Sequence, residues 1–118
     1  REARTGRVRE ANRRLRAFLA QFPRVRINSP AGASPYLLNL SVRGVRGETV
    51  QRALDREGIC VSVRSACARN GAPSQAVLAL TGDRRLALSS WRISLSHLTT
   101  PAELDCFEAA FRRCYAAL

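Results

Sequence analysis

Short runs of strict apolar/polar alternation, set between stretches of helical periodicity, most constrain what this chain can fold into. Val25 and Ile27 alternate with Arg24, Arg26 and Asn28; Tyr36, Leu38, Leu40 and Val42 alternate with Leu37, Asn39 and Ser41. Ile59, Val61 and Val63 alternate with Cys60, Ser62 and Arg64, and Trp91, Ile93 and Leu95 with Arg92 and Ser94. Successive side chains of a strand point to opposite faces, so each run is a strand with one core face. Helical spacing separates most of them. The pattern predicts an α+β fold, a small mainly antiparallel sheet with helices packed on one side.

The helices are legible from their stripes and ends. Val8, Ala11, Leu15, Phe18, Leu19 and Phe22 recur at three- and four-residue steps, predicting a helix over residues 5–22 that Pro23 ends. Residues 48–57 form a second, with Val50, Ala53 and Leu54 inward and Gly58 as its stop. Ser74 caps a short helix running to residue 80, and Asp83 caps a further turn to residue 88. Thr100-Pro101-Ala102-Glu103 is a capping box with proline at the first helical position, followed by the stripe Leu104, Phe107, Phe111, Cys114, Tyr115 and Leu118. Cys106 falls off that stripe and is expected at the surface or under a neighbouring domain, whereas Cys60 and Cys114 are expected to be structural and protected.

With 118 residues, 46% of them hydrophobic, the chain fits a single domain spanning 1–118 with one core. No apolar run reaches the roughly 20 residues of a membrane span, and the arginine-rich start lacks a signal-peptide core, so a cytoplasmic location is expected. The four cysteines, 60, 67, 106 and 114, show no zinc spacing, and His97 has no metal partner nearby in sequence; no metal site and free thiols are expected. Net charge is +11, with seven arginines among the first 16 residues. That density suits a phosphate-binding arm, yet no base-stacking aromatics interleave it and no nucleic-acid-binding signature is present, so a solvated or domain-covered face is the better reading.

Two positions stand out chemically. Cys67 lies in the turn-rich loop Ser65-Ala66-Cys67-Ala68-Arg69-Asn70-Gly71, between Arg64 and Arg69, whose charges favour thiolate. Arg92 lies on the strand face opposite Trp91, Ile93 and Leu95, and a guanidinium there can grip a carboxylate with two parallel hydrogen bonds.

An ordered series of segments resembles the carboxy-terminal small domain of NifS-like cysteine desulfurases, enzymes of the class V aminotransferase family. These are Leu38-Asn39-Leu40-Ser41-Val42, Gly44-Val45-Arg46-Gly47-Glu48, Leu54-Asp55-Arg56-Glu57-Gly58-Ile59, Ser65-Ala66-Cys67, Ser89-Ser90-Trp91-Arg92-Ile93-Ser94-Leu95 and Thr99-Thr100-Pro101-Ala102-Glu103-Leu104-Asp105. The resemblance implies the small-domain fold of fold-type-I pyridoxal phosphate (PLP) enzymes and conversion of L-cysteine to L-alanine. Cys67 would accept the sulfur as a persulfide and Arg92 would hold the substrate carboxylate. It further implies PLP as cofactor, a homodimer, and a sulfur-acceptor or scaffold protein in iron–sulfur cluster or thio-cofactor synthesis. Three features depart from the family pattern: Arg64 replaces the usual glycine, His97 stands where arginine is usual, and the loop after Cys67 is about one residue short.

All 20 basic residues are arginine. A PLP enzyme holds its cofactor as a Schiff base on lysine, so the lysine-bearing PLP domain is expected to lie outside this chain and the isolated chain to be inactive. A noncatalytic interaction module that retains the small-domain fold is the alternative.

Overall fold

The computed structural model describes residues 2–63, 84–95 and 100–118. Within them the order is α1 (Glu2–Leu19), β1 (Val25–Ile27), β2 (Leu37–Val42), α2 (Gly47–Arg56), a five-residue α3 (Arg84–Leu88), β3 (Ser90–Ser94) and α4 (Pro101–Ala117). The strands form an antiparallel sheet of order β1-β2-β3, with Arg26 opposite Ser41, Leu40 opposite Trp91 and Asn39 opposite Arg92.

Alternation sets the two faces of this sheet. Leu38, Leu40, Val42, Trp91 and Ile93 point to one side and join Val8, Leu15, Phe18 and Leu19 of α1, Val50 and Leu54 of α2, and Leu104, Phe107 and Phe111 of α4 in one core. α1, α2 and α4 therefore share one face of the sheet, as the sequence predicts. Phe22 packs edge-to-face on Phe111 and Tyr115 at 5.0 and 4.8 Å, and Trp91 stacks on Phe111 at 6.0 Å. Offset and edge contacts of this kind add to the area that the rings bury. At the rim the Arg112 guanidinium lies 5.0 Å from the Phe18 ring centre, a cation–π contact.

The helix ends follow their local chemistry. Glu103 N–H donates to the Thr100 hydroxyl at 3.2 Å and Thr100 N–H to the Glu103 carboxylate at 2.7 Å, so the capping box closes with Pro101 at the first position. α2 stops in a Schellman motif: Ile59 N–H bonds the Leu54 carbonyl and Gly58 N–H that of Asp55, both at 2.9 Å. This requires Gly58 at φ +82°, the left-handed region that glycine enters without Cβ strain.

Two expectations need correction. The alternating run 59–63 is not a full strand: Ser62 alone bridges to Arg92, their backbones exchanging hydrogen bonds of 3.0 and 2.6 Å. Half-buried Ile59 and Val61 still pack on the core. Cys60, expected to be protected, is exposed: no strand among the described residues pairs with this segment beyond the single bridge at Ser62. The expected helix over 74–80 and the cap at Asp83 lie outside the described residues, as does His97.

Candidate functional site

The sheet face opposite the core carries the polar half of each alternation. In one row across it stand Asn39 of β2, Arg92 of β3 and Ser62 beyond, with Asn28 reached from β1. Asn28 Nδ2 donates to Asn39 Oδ1 at 2.8 Å and to the Ser41 hydroxyl at 3.0 Å, and Ser29 Oγ accepts from Asn39 N–H at 2.8 Å. Ser41 is fully buried, so the Asn28 bond satisfies a hydroxyl that water does not reach, while Asn28, Ser29 and Asn39 are half-buried.

Arg92 sits in the middle of that row. Its backbone is fixed on both sides, by the β2 ladder and by the double bond to Ser62, and its residue is half-buried beside the amide of Asn39. The guanidinium carried there offers a planar donor fork that can grip a carboxylate with two parallel hydrogen bonds. The Asn28–Asn39–Ser41 network was not singled out as a site by sequence reasoning. Its signal is present all the same, because Asn39 and Ser41 occupy the non-core positions of β2 and Asn28 the end of β1.

Cys67, the expected nucleophile, lies outside the described residues together with Arg64 and Arg69. Ser62, five residues before it in sequence, is bound to Arg92. Among the described cysteines, Cys60 and Cys106 are exposed and both line an apolar groove of about 450 Å³ beside Ile93 and Leu104; Cys114 is buried in the α4 stripe. Burial raises the Cys114 thiol pKa above its ordinary value, and the Glu57 carboxylate pushes in the same direction, so this thiol is held in its inert protonated form. No cluster of three or more metal-ligating side chains occurs among the described residues, and no helix there is long and apolar enough to cross a membrane.

The basic start of the chain is partly neutralised. Arg14 of α1 pairs with Glu108 and Asp105 of α4, and its pKa is raised, first by the Glu108 hydrogen bond and then by that of Asp105. Arg13 pairs with Glu10 along the helix. Arg16 is tied to the Asn12 side chain and the Pro30 carbonyl. Arg14 and Arg16 thus tie α1 to other parts of the chain.

A covalent PLP site does not fit the residues of this chain, because the Schiff base needs a lysine amine and there is no lysine.

Comparison with known proteins agrees with this geometry. A model of the aminotransferase class-V family matches residues 2–107. The chain is 34% identical over 105 residues to a NifS/IcsS protein homolog of Lactobacillus delbrueckii subsp. bulgaricus, covering 86% of this chain and 27% of that protein. It is 37% identical over 103 residues to a cysteine desulfurase of Cereibacter sphaeroides, covering 85% and 27%. A solved NifS-like protein superposes with a TM-score of 0.80 at 29% identity, over 99% of this chain and 29% of the other. The chain thus spans about a quarter of the length of the curated relatives it matches. On a family match that runs through nearly all of its elements, the chain belongs to the aminotransferase class-V family.

Proposed function

We propose that this chain supplies the substrate-carboxylate anchor and the sulfur-accepting thiol of a cysteine desulfurase, with Arg92 as the anchor and Cys67 as the thiol. The lysine and the rest of the PLP site come from a region outside these residues, and PLP bound there supplies the electron sink that loosens the carbon–sulfur bond of L-cysteine. Arg92 orients the amino acid by its carboxylate, and the Cys67 thiolate takes the sulfur as a persulfide, leaving L-alanine. The persulfide then passes to a sulfur-acceptor or scaffold protein in a reducing cytoplasm, and the enzyme works as a homodimer.

The observation that carries this reading is the placement of Arg92. It is fixed at the centre of the polar face, and its backbone partner Ser62 opens the segment that leads to Cys67. That placement, on the polar face beside the Asn28–Asn39–Ser41 network, favours the catalytic reading over a noncatalytic module.

Steady-state kinetics of the complete polypeptide that carries this chain test the assignment. Cys67→Ser is expected to abolish persulfide formation while PLP stays bound. Arg92→Ala is expected to raise KM for L-cysteine and lower kcat/KM on the order of 100-fold, the usual scale for removing one partner of a desolvated charged pair. Normal turnover in Cys67→Ser, or an unchanged KM in Arg92→Ala, would refute the roles. Absence of PLP-dependent sulfide release from the complete polypeptide would favour the interaction module.

A further inference from the structure

A cleft that Arg92 does not line gathers a second set of arginines. It has a volume of about 560 Å³ and is lined by Arg26 of β1, Arg43 and Arg46 of the β2–α2 loop, and Arg85 of α3, with Gly44 and Ser89 between them. Four arginines from three separate parts of the chain line it. No carboxylate lines the cleft among the described residues; the nearest pairing is Arg46 with Glu48 at 3.5 Å.

The loop that brings Arg43 and Arg46 to this mouth is held from behind. Arg43 N–H donates to the Arg24 carbonyl at 2.8 Å, and the Arg24 guanidinium donates back to the Arg43 carbonyl at 3.3 and 3.1 Å. Gly44 turns the chain at φ +79°. Gly47 then lies against β3 so closely that a Cβ there would meet the Ser90 carbonyl oxygen at 2.2 Å. The two arginines therefore hang from a backbone fixed to β1 on one side and to β3 on the other. Gathering like charges on such a frame destabilises the fold by self-repulsion, which a bound anion would relieve.

We propose that this cleft is a binding site for the di- or triphosphate group of a small molecule. Four guanidiniums call for more than one negative charge, and the forked donors of arginine match phosphate oxygens. The volume is that of a small-molecule site. A nucleic-acid strand is the poorer occupant: among the described residues no aromatic side chain and no residue of the arginine-rich α1 lines the cleft, so neither base stacking nor an extended basic track continues from it there.

The test is calorimetric titration of pyrophosphate into the complete polypeptide at about 0.15 M salt, near physiological ionic strength. Arg43→Ser with Arg46→Ser should weaken binding at least about tenfold, and Arg85→Ser alone several-fold, since each removes charge-assisted bonds. All three are solvent-exposed side chains whose loss leaves the core intact, which circular dichroism checks. Removing the same charge from α1, by Arg7→Ser with Arg9→Ser, should change the affinity less than about twofold. Equal weakening by the α1 and cleft variants, or no pyrophosphate binding, would overturn the proposal. So would competition by saturating PLP, which would put the anion in the cofactor's phosphate site, or a tighter, cleft-dependent affinity for duplex or single-stranded nucleic acid. These outcomes are independent of desulfurase turnover, so failure here leaves the roles of Arg92 and Cys67 untouched.

Discussion

Replacing Gly47 with alanine should destabilise the fold even though the residue is helical. At an ordinary exposed helical position the change stabilises by up to about 1 kcal/mol, because alanine has less backbone entropy to lose. At Gly47 the added Cβ would lie 2.2 Å from the Ser90 carbonyl oxygen, 3.1 Å from the Ser90 carbonyl carbon and 3.2 Å from a Val63 methyl group. Two of these three neighbours are backbone atoms of β3, so no side-chain rotation relieves the contact. The start of α2 must move off the sheet by about 1 Å to restore van der Waals separation. Overpacking of this severity costs about 3 kcal/mol, leaving a net loss of about 2 kcal/mol after the propensity gain. For a domain of 118 residues that is a fall in Tm of roughly 8 °C.

Thermal and urea unfolding of the 118-residue chain, followed by circular dichroism, would measure it. Gly6→Ala is the internal control: Gly6 lies in α1 with nothing within 4 Å of the position its added methyl group would take, so the same substitution should raise stability by about 0.5–1 kcal/mol. The two variants thus carry opposite signs from one chemical change. A Gly47→Ala protein as stable as the parent, with an unchanged urea slope, would refute the close approach of α2 to β3.

Thr100→Ala removes the hydroxyl acceptor of the capping box and should cost about 1 kcal/mol by urea denaturation, with Thr100→Ser recovering most of it. Alkylation with mass mapping should label Cys60 and Cys106 in the folded chain and Cys114 only on unfolding; a Cys60 as slow as Cys114 would contradict its placement. Because burial raises the Cys114 pKa in the folded state, the folded chain binds that proton more tightly than the unfolded one. Stability from this group is then fully present below the ordinary value of 9.0 and lost as pH rises through the higher folded value. Cys114→Ala should flatten the alkaline decline in Tm, and an identical decline in both proteins would show that the Cys114 thiol does not titrate differently on unfolding.

What could be read from the sequence was what local chemistry decides. The Thr100–Glu103 box closes as its residues dictate, and Gly58 stops α2 because only a left-handed residue completes the Schellman bonds. Leu38, Leu40 and Val42 face the core because the strand period leaves them no other side. The run 59–63 shows where that reasoning ends. Alternation records which side chains are buried, and Ile59 and Val61 do pack inward, but it does not record how many backbone pairs a neighbour accepts. Here there is one, between Ser62 and Arg92.

The same distinction explains the arginines. Sequence density points to the first 16 residues, yet Arg13 and Arg14 are paired with carboxylates there. The cleft instead gathers Arg26, Arg43, Arg46 and Arg85 across a wide span of sequence with no shared period. Only sheet pairing makes them neighbours: β1 sets Arg26 against Ser41, β2 leads into Arg43, and β3 begins at Ser90 just after Arg85 and α3. One antiparallel ladder therefore positions both features of the polar face, with Arg92 in the row through Asn39 and the arginine cleft next to the row through Ser41. A substitution that slips the β2–β3 register by one residue would turn Arg92 into the core and Trp91 and Ile93 out of it, so both sites should be lost together with the packing of α1 and α4 on the sheet.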